Sequence, residues 1–443
     1  ILAGAFRHTM FMARSSVFHH VWVEYALTML HSAFRRRVIS KKKHSHLLNP
    51  FALILARCLK LSKENKVTTL ALKCLAELTN WNHLEQMSQA VPTIIDQTFR
   101  ILRMTGSGGQ QMRHVGFKVI TQIMHTVTTI EYTFKKNQYS ALINLVRSHV
   151  NHIQTQNTSF ALIKAMLARH VMVPEMYDLM TYCSRLMVTA HRSQVQRLCG
   201  QVLLKFLIDY PLSKKRRQQH LDELIKNLQY QYEDGRIQAS VTLSNVIERW
   251  PTEALNEQAS TFFLHCTLRV ANEESLKCRQ SIFECLKRLI MKVGVNEYVQ
   301  LSDYVAQWMA PRGSVSASAT RMASAACQVA NIMLTHRPTP LKGEHGRTLI
   351  QHAINHIASE SRTVEGSDSS SGMHSSSGSS GGVSGTVSGA VSSGVSSGGD
   401  GSMFETDLDR QVQKEEDDFV TLMKRASDHH HDDGEGGDDA FDD

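Results

Sequence analysis

The segment "VTTLALKCLAEL", Val67–Leu78, decides the fold class. Its apolar residues Val67, Leu70, Ala71, Cys74, Leu75 and Leu78 recur at i, i+3, i+4, i+7, i+8 and i+11, which puts them on one helix face. Such a face needs a covering partner, and similar segments recur down the chain. They begin near Lys66, Gln111, Gln156, Gln194, Gly235, Lys277 and Ala317, at intervals of 45, 45, 38, 41, 42 and 40 residues. Each follows another amphipathic segment, from "NPFALILARCLKL" through "VPTIIDQTFRILRM" and "TEALNEQASTFFLHCTL" to "NEYVQLSDYVAQWM". Helical pairs repeated every ~40–47 residues are the HEAT/armadillo signature. One hairpin cannot bury its own apolar face, whereas stacked hairpins share a continuous core. The expected fold is therefore all-α, a HEAT/armadillo-like α-solenoid of about seven helical hairpins with a disordered C-terminal segment.

Punctuation fits that frame. Pro50, Pro92, Pro174, Pro211 and Pro251 are expected at or just before the start of a first helix, where a missing N–H costs little. Asn272-Glu273-Glu274 is expected to open a helix, with acids near its positive end. Four regions follow: a helical segment over 1–46, the remnant of a preceding repeat, with a basic cluster; the array over 47–360; a Gly/Ser-rich linker over 361–402; and an acidic tail over 403–443 with a short amphipathic helix.

The net charge of +8 hides an asymmetry. The chain's 41 acids and 49 bases divide as 16 and 4 from Asp400 onward and 25 and 45 before it. A body that basic suits a polyanionic partner, which the acidic tail can screen. The eight cysteines form no CxxC pair and sit in helical apolar patterns, as small buried hydrophobes of a reducing compartment. No window of about 18 uninterrupted apolar residues predicts a membrane span, and the start "ILAGAFRHTMFMARSS" does not read as a signal peptide.

No GxxxxGK[ST] loop, HExxH helix or GxSxG elbow is present in a fitting context, so no catalytic residue, cofactor or small-molecule substrate is expected. His429–His431 beside Asp432 and Asp433 fall in the low-complexity tail and are not expected to build a metal site. Two basic clusters stand out: Arg35, Arg36, Arg37 with Lys41, Lys42, Lys43, and Lys214, Lys215, Arg216, Arg217. Each has three readings: a phosphate contact, a nuclear address, or a solvated helix face. Neither is interleaved with aromatics, so any RNA contact is to backbone or shape rather than to stacked bases. Tyr210, Tyr230, Tyr232 and Trp250 are read as packing at turns with phenols at the wet edge.

The run from Gln201 through "VLLKFLIDYPL", Val202–Leu212, followed by "LIKNLQYQYEDGR" at Leu224–Arg236, resembles the small-subunit processome component 20 family. This is the U-class snoRNA-associated HEAT-repeat family also known as down-regulated in metastasis. The resemblance rests on Asp209, Tyr210, Pro211 and Leu212 at the turn, on Tyr230, and on Gly235-Arg236. Thr158–Met176 and "FFLHCTLRVANEESLKCRQ" support it. It covers about Leu47 to Trp308, and its motifs are structural rather than catalytic.

The resemblance implies a nuclear, nucleolar scaffold and no enzyme. Its partners would be precursor ribosomal RNA, small nucleolar ribonucleoprotein and other processome proteins, during 18S rRNA maturation, with no membrane. It also implies that the chain is a piece from the C-terminal third of a longer protein. Family members tend to end in a Lys/Arg-rich tail, so the acidic tail here carries no RNA-binding role over. The alternative is a HEAT-type nuclear transport adaptor that binds protein cargo; such adaptors are commonly acidic, unlike this body.

Overall fold

The structure is a computed structural model that describes residues 20–36, 50–79, 85–104, 109–125, 132–310, 316–337 and 346–355. The linker, the acidic tail, and Arg37 and Lys41–Lys43 of the first basic cluster lie outside the described residues. All regular structure among the described residues is helical.

Helix α1, His20–Arg35, precedes seven hairpins. They are α2 Phe51–Leu61 with α3 Asn65–Leu78, α4 Glu85–Met104 with α5 Gln110–His125, and α6 Lys136–Arg147 with α7 Gln156–Ala168. Next come α8 Pro174–Thr189 with α9 Ser193–Asp209, and α10 Lys214–Lys226 with α11 Glu233–Arg249. The sixth first helix is broken into α12 Thr252–Asn256 and α13 Ala259–Asn272, which pair with α14 Leu276–Lys292. The last pair is α15 Val295–Met309 with α16 Ala317–His336.

The second helices stack in one row, α3 on α5, then α7, α9, α11, α14 and α16, and α1 packs on α3. That row explains why α3 buries more than its predicted face: Thr68, Leu72 and Ala76 are enclosed as well, because neighbours cover it on both sides. Seven of the eight cysteines are buried in the array. No described helix is long and apolar enough to cross a membrane.

The row is tied at a constant register. Thr79 Oγ1 donates to Gln122 Oε1 at 2.9 Å, Lys164 Nζ to Gln201 Oε1 at 2.7 Å, and Arg288 Nη1 to Glu248 Oε2 at 2.6 Å. Their sequence separations of 43, 37 and 40 residues match the repeat interval.

A cation also closes successive helix ends. Arg169 Nε donates to Met124 O at 2.7 Å, Lys292 Nζ to Glu248 O at 2.6 Å, and Arg337 Nη1 to Ile290 O at 2.8 Å. Each satisfies carbonyls left over at the C-terminus of the preceding second helix, where positive charge is favoured.

Three expectations need correction. Pro92 lies inside α4 rather than at its start. It sits on the exposed side of a helix whose Met87, Ala90, Val91 and Ile94 are buried, and tertiary packing of that face outweighs the interior proline. Asn272 ends α13 rather than opening a helix; Glu273 forms its C-cap, and Ser275 caps α14 by accepting from Cys278 N. Tyr210 is 1% exposed, so its phenol is not at a wet edge.

Candidate nucleic-acid interface

Arg35 ends α1 and Arg36 follows it, both exposed. The second cluster forms the first turn of α10, where Ser213 accepts from Arg216 N. The four cations separate in function there. Lys214 Nζ meets Glu257 Oε2 at 2.8 Å, and that contact holds the Glu257 carboxyl below the usual glutamate range. The Arg216 guanidinium lies over the Tyr177 ring, 3.8 Å from its centre. Lys215 is exposed and Arg217 half-buried. So the cluster is one helix turn, with one cation committed to an aromatic face and one to a carboxylate across the repeat boundary.

The turn residues Asp209–Leu212 build the corner between α9 and α10. Tyr210 packs edge-on against Tyr177 and His170, tilts against Phe206, and donates to Val171 O at 2.5 Å. Burial, then the neighbouring Tyr177, pushes its phenol pKa well up, so it remains a donor at any physiological pH. Leu212 is buried beside it, Pro211 is exposed, and Asp209 pairs with Lys205 at 3.2 Å. Tyr210→Phe is expected to cost about 1–3 kcal/mol, since the buried Val171 carbonyl loses its donor. Denaturant melts followed by circular dichroism check this, and a wild-type midpoint would show that the carbonyl finds another donor.

Tyr230 and Gly235 touch at the start of α11, and Arg236 ties the corner. Arg236 Nη1 donates to Tyr230 O and Gln231 O, each at 2.9 Å. Its Nε and Nη2 reach Glu273 Oε2 and Oε1, at 2.8 and 2.9 Å. Arg269 Nη2 joins Glu273 Oε2 at 2.8 Å, and Ser275 N donates to Oε1 at 3.0 Å. Burial raises the Glu273 pKa, but these donors outweigh it and hold the carboxyl below its ordinary value. In the sequence Glu273 reads as an acid near the positive end of a helix start; its arginine partners stand 37 and 4 residues away.

Among the described residues no group of three or more His, Cys, Asp or Glu side chains is placed to hold a metal ion.

No family model matches the chain. It is 24% identical over 250 residues to U3 small nucleolar RNA-associated protein 20 of Saccharomyces cerevisiae. It is 22% identical over 248 residues to the protein of the same name in Schizosaccharomyces pombe. Each match covers 56% of this chain and 10% of the relative, so the aligned part spans about a tenth of those proteins. Among solved structures, a complex of Kap95p with RanGDP aligns with TM-score 0.40 and 8% identity, covering 81% of this chain and 51% of that one. A designed armadillo repeat protein with the peptide (KR)4 aligns with TM-score 0.39 and 12% identity, covering 54% and 98%. Both relatives are consistent with the resemblance to the small-subunit processome component 20 family that the sequence carries.

Proposed function

We propose that this repeat array is a non-catalytic scaffold segment in small-subunit ribosome assembly, working in the nucleolus on precursor ribosomal RNA. The observation that carries this is the similarity to two relatives named for their association with the U3 small nucleolar RNA. The 45 bases and 25 acids before Asp400 support a polyanionic partner. A row of stacked hairpins offers an extended binding surface without needing a pocket. No catalytic motif competes with this reading.

Affinity purification of the tagged chain from nuclear extract tests it. Precursor small-subunit rRNA and U3-class small nucleolar RNA are expected in the eluate. Recovery of protein cargo with no pre-ribosomal RNA would overturn the proposal in favour of a transport adaptor.

The Lys214–Arg217 turn gives a sharper expectation. Replacing all four cations by Gln should lower the salt slope of RNA affinity by about two charges rather than four, at ~0.7–0.9 per cation. The Glu257 pair of Lys214 and the Tyr177 contact of Arg216 withhold two from phosphate. An unchanged slope would leave the turn as a solvated face.

A further inference from the structure

A groove of about 860 Å³ opens between α1, the α2–α3 turn, the end of α4 and the start of α5. Lys63, Lys66, Lys73 and Arg100 line it, against one acid, Glu24. A second hollow of about 390 Å³ shares Arg100 and Met104 with it and adds Arg103 and Lys135, against Asp96. The two hollows meet at Arg100 and Met104, and together this trough carries six cations and two carboxylates among the described residues.

Five of the six cations are exposed and Lys73 is half-buried. Among the described residues none of the six is in an ion pair; the pair between α3 and α5 joins Glu77 to Lys118 at 3.5 Å. Burial first, and then Lys73 and Arg35, hold the His31 imidazole on α1 below its ordinary pKa. The walls also carry neutral hydrogen-bonding groups, including Ser62, Asn65, Thr69 and Gln111.

Arg100 also donates to Leu59 O at 3.4 Å, and cations held in no ion pair among the described residues, around a polar trough, fit an extended polyanion. Among the described residues no exposed tyrosine or tryptophan lines either hollow, so these walls offer no stacking platform for bases. Met104 is the exposed large apolar side chain there, far short of the clustered anchors of a protein interface. We propose that this trough binds the sugar-phosphate backbone of a structured RNA, independent of base sequence. The proposal rests on the reading of the chain as an RNA-associated scaffold, and it adds a site. Single-stretch charge counting does not find that site, because its cations come from the α2–α3 turn, two helices and the cap of α6.

The test uses the full 443-residue chain with Lys63→Gln, Lys66→Gln and Arg103→Gln combined. A control variant carries Lys226→Gln, Arg249→Gln and Arg321→Gln, three exposed cations elsewhere in the array. Circular dichroism melts confirm that both fold. Fluorescence anisotropy with a labelled RNA hairpin of arbitrary sequence is read across a salt series, alongside labelled polyglutamate.

The trough variant is expected to bind RNA about tenfold or more weakly, with the salt slope reduced by about two to three; the control keeps both. A trough variant with wild-type affinity and slope overturns the proposal. So does an unmodified chain that binds no hairpin, or a variant that loses polyglutamate but keeps RNA, which would make the trough a seat for an acidic protein. These outcomes are separable from the proposed function. A chain that still recovers pre-ribosomal RNA but is indifferent to the three substitutions sinks only the trough.

Discussion

Glu273→Ala is expected to destabilise the array by about 3–5 kcal/mol, because it leaves the Arg236 and Arg269 guanidiniums without their shared carboxylate in a buried corner. The Glu273 side chain is 1% exposed, and those of Arg236 and Arg269 are 13% and 21% exposed. The loss should appear as a lower denaturation midpoint by circular dichroism. Replacing all three together by apolar residues of similar volume should recover much of it, since the penalty comes from stranded charge rather than from missing attraction. A loss below about 1 kcal/mol would mean that water reaches the guanidiniums as it does at exposed pairs.

The network has a pH signature. The folded Glu273 pKa is depressed below its ordinary value of 4.5. Its contribution is therefore complete above the unfolded pKa and fades as pH falls through the folded one. The wild-type and Glu273→Ala midpoints should converge in acid and stay apart at neutral pH.

Gly235→Ala is expected to destabilise the neighbouring corner as well. A Cβ there would stand 2.5 Å from Tyr230 Cδ1 and 2.8 Å from the Val188 carbonyl oxygen. The ring can shift, but the backbone oxygen cannot rotate away. The start of α11 must therefore move off α8, at a cost of about 1–3 kcal/mol. This outweighs the gain of at most about 1 kcal/mol from alanine's better helix propensity. A Tyr230→Ala companion change should rescue only part, because the Val188 contact remains. A wild-type midpoint for Gly235→Ala would place the tight approach elsewhere.

The architecture was legible because it is periodic. The apolar positions of Val67–Leu78 recur in every second helix, and all seven predicted starts fall within two residues of the observed ones. Local signals misled where packing overrode them. Pro92 reads as a helix start, yet the buried face of α4 carries the helix through it. Asn272-Glu273-Glu274 reads as a helix opening, yet Glu273 faces arginines of its own and the preceding repeat. Tyr210 was recognised as a turn residue, but nothing in its neighbours in sequence announces the Val171 carbonyl, 39 residues back.

The candidate interface was legible only as runs. The Lys214–Arg217 run stands out by density, yet the structure commits Lys214 to Glu257 and Arg216 to Tyr177. The trough is the converse. Its cations are unremarkable singly, and only the stacking of the first three hairpins brings them to one surface.

Sucrose-gradient sedimentation of nuclear extract tests the proposal that this array works inside small-subunit precursor particles. The chain is expected in the heavy fractions together with U3-class small nucleolar RNA, moving to light fractions after ribonuclease treatment. A chain found only among free soluble proteins, with its position indifferent to ribonuclease, would contradict it.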